Sequence, residues 1–263
     1  MKMKITLVLT LLTIIFSACN GQADKSSSEV KNQEMFYFLG KSTNNTSIYP
    51  NLNFEYTLIV IDMEDSTFTE IEDLKKQKKE VFCYISSGSW EDWRSDASDF
   101  PERIKGDPLD NWAGEKWLNI SDSKTLELIK LRVDKAVIKG CNGVEFDNAD
   151  GYTNTTGFSL NYEDQRIFNK SLGEYAKGKG LRTILKNDLN QLNDLEPFYD
   201  IAVNESCNEY SECDLYEDWI SKGKYIYNIE YKNPLNSYPQ SKYFKTYITD
   251  ENLIGSLYIK LKN

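Results

Sequence analysis

Five stretches of the chain end a short apolar run in a carboxylate, an amide or an amine: Asp62, Asp147-Asn148, Lys186-Asn187, Asn204-Glu205 and Glu230. Carboxylates brought together from such positions can run one reaction unaided. One carboxyl protonates a leaving glycosidic oxygen; the other, about 5 to 10 Å away, attacks the anomeric carbon or activates water. Asp147 and Glu205 are the natural pair for that division of labour. The composition leaves few rivals. The chain has no histidine, which removes Ser-His-Asp and Cys-His nucleophiles and any His-ligated zinc or haem. Acid–base work near neutral pH then falls to carboxylates, Lys, Tyr or Cys. The sequence holds no CxxC spacing and no phosphate-cradling glycine motif, so no metal and no cofactor is expected.

Residues so far apart in sequence must be positioned by elements that all end on one face. The apolar runs predict strands at 36–39, 56–61, 80–85, 143–146, 181–185, 200–203, 225–229 and 255–259. Leu126, Ile129, Val133 and Val137 recur at helical spacing, with Ser121 or Asp122 as N-cap and Gly140 as stop. Ile167, Phe168, Leu172, Tyr175 and Ala176 do the same between Asn161 and Gly180. Eight strands alternating with helices over about 230 residues predict a single-domain α/β fold, a (β/α)8 TIM barrel spanning 34–263, whose C-terminal strand ends would gather the polar residues. The long connection after the third strand carries Trp90, Trp93, Trp112 and Trp117, four of the five tryptophans. Trp117 precedes an apolar run and reads as core; Trp90 and Trp93 are candidates for flat platforms under sugar rings.

The first thirty residues read as an address. Lys2 and Lys4 precede an apolar stretch, and Phe16-Ser17-Ala18-Cys19 is similar to a bacterial lipobox. Residues 1–18 are expected to be a lipoprotein signal peptide, Cys19 the lipid attachment site, and 19–33 a polar flexible tether. The protein would then be exported and held at a membrane by its lipid anchor only, on the periplasmic or cell-surface side. In that oxidising setting Cys207 is expected to pair with Cys213 in one loop, and Cys83 with Cys141 if their strands are neighbours. The net charge is −10, or −12 once Lys2 and Lys4 are removed. It excludes the basic face that a nucleic-acid partner needs and favours a cationic one. A monomer is expected.

Several runs together resemble glycoside hydrolase family 114. Cys83-Tyr84-Ile85-Ser86-Ser87-Gly88-Ser89, followed by Glu91, Trp93, Arg94 and Asp96, resembles one of its blocks, and Gly114-Glu115-Lys116-Trp117-Leu118 another. Gly143-Val144-Glu145-Phe146-Asp147-Asn148-Ala149-Asp150-Gly151-Tyr152, Leu185-Lys186-Asn187, Asn204-Glu205-Ser206-Cys207 and Glu230-Tyr231 resemble four more, in order over about 56–232. The resemblance implies endo-α-1,4-polygalactosaminidase activity, with a cationic amino-sugar polysaccharide as substrate. Asp147 would be nucleophile or base and Glu205 the acid. Asp62, Tyr84, Trp93, Arg94, Asn148, Lys186 and Glu230 would bind substrate or support the pair. Two departures bear on specificity: Phe146 stands where the family has proline, and Phe36-Tyr37-Phe38-Leu39-Gly40 replaces a first strand rich in Trp and Gln. The alternatives are a non-catalytic carbohydrate-binding lipoprotein and a hydrolase for a different α-linked sugar.

Overall fold

The computed structural model describes residues 33–40, 55–231, 243–254 and 257–261. The expected signal peptide, Cys19 and all of the tether but Gln33 lie outside the described residues. The main sheet is built from β1 (Met35–Phe38), β2 (Leu58–Asp62), β3 (Glu80–Ser86), β7 (Gly143–Asp147), β8 (Arg182–Lys186), β9 (Ile201–Glu205), β10 (Tyr225–Glu230), β11 (Phe244–Thr249) and β12 (Tyr258–Lys260), adjacent in that order. A second, small sheet stands in the connection after β3: β4 (Ser89–Glu91), β5 (Lys105–Pro108) and β6 (Glu115–Leu118), with β6 in the middle. Every neighbouring pair from β1 to β11 in the main sheet is parallel, and their interiors are buried runs of Val, Ile, Leu, Phe and Tyr, as a sheet covered on both faces requires.

Helices α1 (Phe68–Lys76), α2 (Ser123–Lys139), α3 (Tyr162–Gly178), α4 (Leu192–Leu195) and α5 (Glu217–Ser221) fall between strands. The punctuation of the two long ones follows the sequence. Asp122 caps α2 through the Lys124 N–H, and Gly140, at φ +84°, ends it. Asn161 caps α3 in a reciprocal box with Asp164, and Gly180 turns the chain beyond it at φ +81°.

The closed eight-stranded barrel is not what forms. The sheet is a curled, open, mixed sheet of nine strands. Its last strand, β12, runs antiparallel to β11, and no ladder joins either of them to β1 among the described residues. The seam is crossed mainly by side chains: the Tyr258 hydroxyl donates to the Met35 carbonyl, and the Met35 N–H donates to the Tyr247 hydroxyl. The expected eighth strand at 255–259 corresponds to this antiparallel edge. The eighth parallel strand is β11, whose apolar run is broken by the buried polar residues Lys245, Thr246 and Thr249. Two disulfides form, Cys83–Cys141 between β3 and the turn entering β7, and Cys207–Cys213 beyond β9.

Candidate active site

Asp147 closes β7, Lys186 closes β8 and Glu205 closes β9. Because β8 lies between the other two strands, the sheet delivers an amine between two carboxylates. Lys186 Nζ is 3.5 Å from Asp147 Oδ1 and 3.3 Å from Glu205 Oε1. One nitrogen touching both keeps those oxygens within about 7 Å of each other, inside the span that glycoside hydrolysis uses. The Tyr84 hydroxyl donates to Asp147 Oδ2 at 2.9 Å. Asn187 donates its amide to Glu205 Oε2 at 3.2 Å and accepts the Glu205 N–H at 3.0 Å, while the Tyr231 hydroxyl donates to Oε1.

The backbone turns sharply behind each of these side chains. Asn148, Asn187, Asp188 and Ser206 have φ of +54°, +52°, +49° and +61°. The left-handed region costs an L-residue roughly 1–2 kcal/mol, and Asn and Asp tolerate it best after glycine. The chain thus leaves the sheet as soon as its last side chain is presented. Gly88 lets the next loop lie against one of these turns: a Cβ there would stand 1.8 Å from the Asn148 carbonyl oxygen.

Charge at the site is set by burial opposed by pairing. Burial pushes Glu205 toward its neutral form, but the Lys186 ammonium and the Tyr231 and Asn187 hydrogen bonds outweigh it and hold Glu205 below the ordinary carboxylate range. Burial would also strip Lys186 of its proton; Asp147, Glu205 and Glu145 reverse that and hold it well above its ordinary value. Glu145, one inward position before Asp147 on β7, is wholly buried. Burial dominates there and raises it to about 8, with the Tyr37 hydroxyl donating to it from β1.

Two lobes of a cleft meet at Glu205, Asn187 and Asp150. The first, about 400 Å³, is walled by Trp93 and Trp112, 44% and 52% exposed, and holds Asp147, Asn148, Asp62, Tyr84, Arg94 and Glu115. The second, about 430 Å³, is walled by Asp150, Asp188, Glu212 and Tyr210. Of the site residues expected from the sequence, Lys186, held between the two carboxylates, lines neither lobe, and neither does Glu230. It accepts the Asn208 N–H and the Asn228 amide and so anchors the loop after β9. Asp62 and Arg94 line the Trp lobe but are bound to each other: the guanidinium bridges Asp62 and Glu91 at 2.6–2.8 Å. Trp90 is a brace, its indole N–H on the Ala97 carbonyl and the Lys105 ammonium 4.2 Å from its ring centroid. Trp117 is core, as read from the sequence. Tyr231, Asn187, Trp112, Asp150, Glu115 and Asp188 were not singled out. Asn187, Tyr231, Glu115 and Asp150 sit inside the family-like runs, and that was the signal available for them.

The arrangement has relatives. The profile of glycoside hydrolase family GH114 matches residues 18–261. The crystal structure of Aspergillus fumigatus Ega3 in complex with galactosamine is 32% identical, with a TM-score of 0.75 over 84% of this chain and 92% of that one. The glycoside hydrolase domain of PelA from Pseudomonas aeruginosa is 14% identical, with a TM-score of 0.66 over 86% and 97%, a likeness of fold. No curated protein matches. A carboxylate pair at the ends of the strands on either side of β8, a carbohydrate-sized cleft around it and a family profile covering nearly the whole chain agree: this protein belongs to glycoside hydrolase family GH114.

Proposed function

We propose that this glycoside hydrolase cuts α-1,4 linkages within galactosamine-rich polysaccharide, and that it does so outside the cytoplasm, tethered through lipid on Cys19. The observation that carries the reading is the Asp147–Glu205 pair bridged by Lys186, at the joint of a cleft that continues past it on two sides. A cleft with space on both sides suits an internal bond of a chain better than its end. The galactosamine bound to the 32% identical Ega3 supports an amino sugar, as does the acid excess of the chain. The two disulfides support an oxidising compartment.

In the mechanism proposed, an Asp147 oxygen attacks the anomeric carbon as the bond to the leaving oxygen breaks, and the Glu205 proton goes to that oxygen. Water then attacks the same carbon, Glu205 takes its proton, and Asp147 is released. The bound of about 7 Å on the carboxylate oxygens admits this direct attack, and the anomer of the fresh products tests its retention. Glu205, ionised in the empty protein, must take up a proton as substrate displaces water. Lys186 then neutralises Asp147. When Asp147 becomes an ester, the same ammonium faces the newly ionised Glu205. One cation serves each carboxylate in turn.

Incubation with fully and partly deacetylated α-1,4-galactosamine polymers, read by mass and by the anomeric NMR signal of fresh products, tests the reading. The expected result is a ladder of oligomers born with the α-anomer. Binding without new reducing ends would favour the carbohydrate-binding alternative; cleavage of another α-glycan only would favour a different sugar.

A further inference from the structure

The lobe beyond Glu205 contains a second recognition element. No lysine or arginine lines it. Asp188 in its wall is 2% exposed. Its Oδ2 accepts from the Asn169 amide at 2.8 Å, but its Oδ1 is buried with no hydrogen-bond partner. Burial, and then the neighbouring Asp150, push Asp188 up to about 8; burial, and then Asp147, push Asp150 up to about 6. Two carboxyl groups, neither in an ion pair among the described residues, thus sit beside a space large enough for a sugar ring, with Glu212 at its rim. A vacant buried acceptor among acids is complementary to a donor that carries positive charge.

The lobe also has a definite side. Glu205 lines it and Asp147 does not. The carboxyl that protonates the leaving oxygen stands beside the leaving sugar, whereas the nucleophile lies under the ring that is attacked. We propose that this lobe binds the protonated amine of the hexosamine on the leaving-group side of the scissile bond, so that a free amine is required there and not in the Trp lobe. An N-acetyl group would offer one neutral N–H and a methyl to the same carboxyl groups and leave acceptors unfilled, the kind of mismatch a polar site rejects strongly. The inference rests on the proposed cleavage of galactosamine polymer and goes further by making the amine requirement one-sided.

The test is digestion of a randomly half-acetylated α-1,4-galactosamine polymer, with each product's two ends sequenced by tandem mass spectrometry. With the wild-type protein, new non-reducing ends should be almost wholly deacetylated and new reducing ends mixed. Asp188→Asn, and separately Asp150→Asn, should raise the acetylated share of new non-reducing ends about tenfold. The wild-type digest decides the matter even if a variant fails to fold. New non-reducing ends as acetylated as the polymer, or selection at the reducing end instead, would overturn the inference. No cleavage of any galactosamine polymer would overturn the proposed function.

Discussion

The two lobes share three residues and are otherwise built from opposite materials. In the Trp lobe, charge is consumed inside the protein. Arg94 bridges Asp62 and Glu91, and Glu115, bonded by the Ser89 hydroxyl, is pushed up to about 7 chiefly by burial. What this lobe adds for a ligand beside the catalytic pair is the exposed faces of Trp93 and Trp112. In the acid lobe no lysine or arginine lines the wall beside Asp150 and Asp188, and Lys186 acts on Asp150 only as a minor influence. Paired charges shape a wall, whereas unpaired ones specify a ligand. By that rule Arg94, with two carboxylates of its own, is a strut rather than a sugar ligand, although it borders the cleft.

The largest test strikes the joint. Asp147→Asn and Glu205→Gln should each lower kcat by at least about 10³-fold on every polymer, acetylated or not, with the melting curve little changed. Full activity in either variant would remove the pair from the chemistry. Lys186→Met comes next, with a loss of about 10²-fold in kcat. It also carries a pH signature. Glu205 is depressed in the folded protein, so its contribution to stability is present above its unfolded value and fades as pH falls through the folded one. Without Lys186, burial dominates and the sign reverses: the ionised form becomes the costly one, and stability falls as pH rises. The Tm deficit of the variant against wild type should therefore be larger at pH 7 than at pH 5. Equal deficits would mean that Lys186 does not hold Glu205.

Smaller effects separate the lobes. Trp93→Ala and Trp112→Ala should raise KM about tenfold with little change in kcat and none in the choice of acetylated units. A change in that choice would break the distinction between platform and charge sensor. Chelator should change nothing. Among the described residues, no cluster of three or more Asp, Glu or Cys is arranged to hold a metal.

Strand ends were legible because an apolar run that stops at a polar residue is a local signal. Asp147, Lys186 and Glu205 came from it directly. β11 was not, because Lys245 is buried only by virtue of partners at the other edge of the sheet, the Gln33 carbonyl and Glu34. The open seam was equally hidden: β12 turns back antiparallel beside β11, and its Tyr258 meets Met35 from the other end of the chain. On α2 the periodic residues were right in spacing and partly wrong in phase. Val137 is 38% exposed, while Arg132 is buried because a loop brings it Asp96. Asp150 and Asp188 look like ordinary loop acids until Asn169 of α3 ties Asp188 to the Ala149 carbonyl, next to Asp150. Phe146, in place of the family's proline, lies wholly in the core against Tyr199, whereas Leu39 and Gly40, just past the altered first strand, do reach the Trp lobe.

The left-handed turns after β7, β8 and β9 have a consequence for anyone seeking a hardier catalyst. Glycine adopts that conformation without penalty, so a screen that rewards heat resistance alone will be drawn to glycine at 148, 187, 188 and 206, where the backbone is least comfortable. At 187 and 188 such a winner would lose the amide that holds Glu205 and a carboxyl that lines the acid lobe. Thermal selection and turnover pull in opposite directions at these positions, and directed evolution of this enzyme has to score both at once.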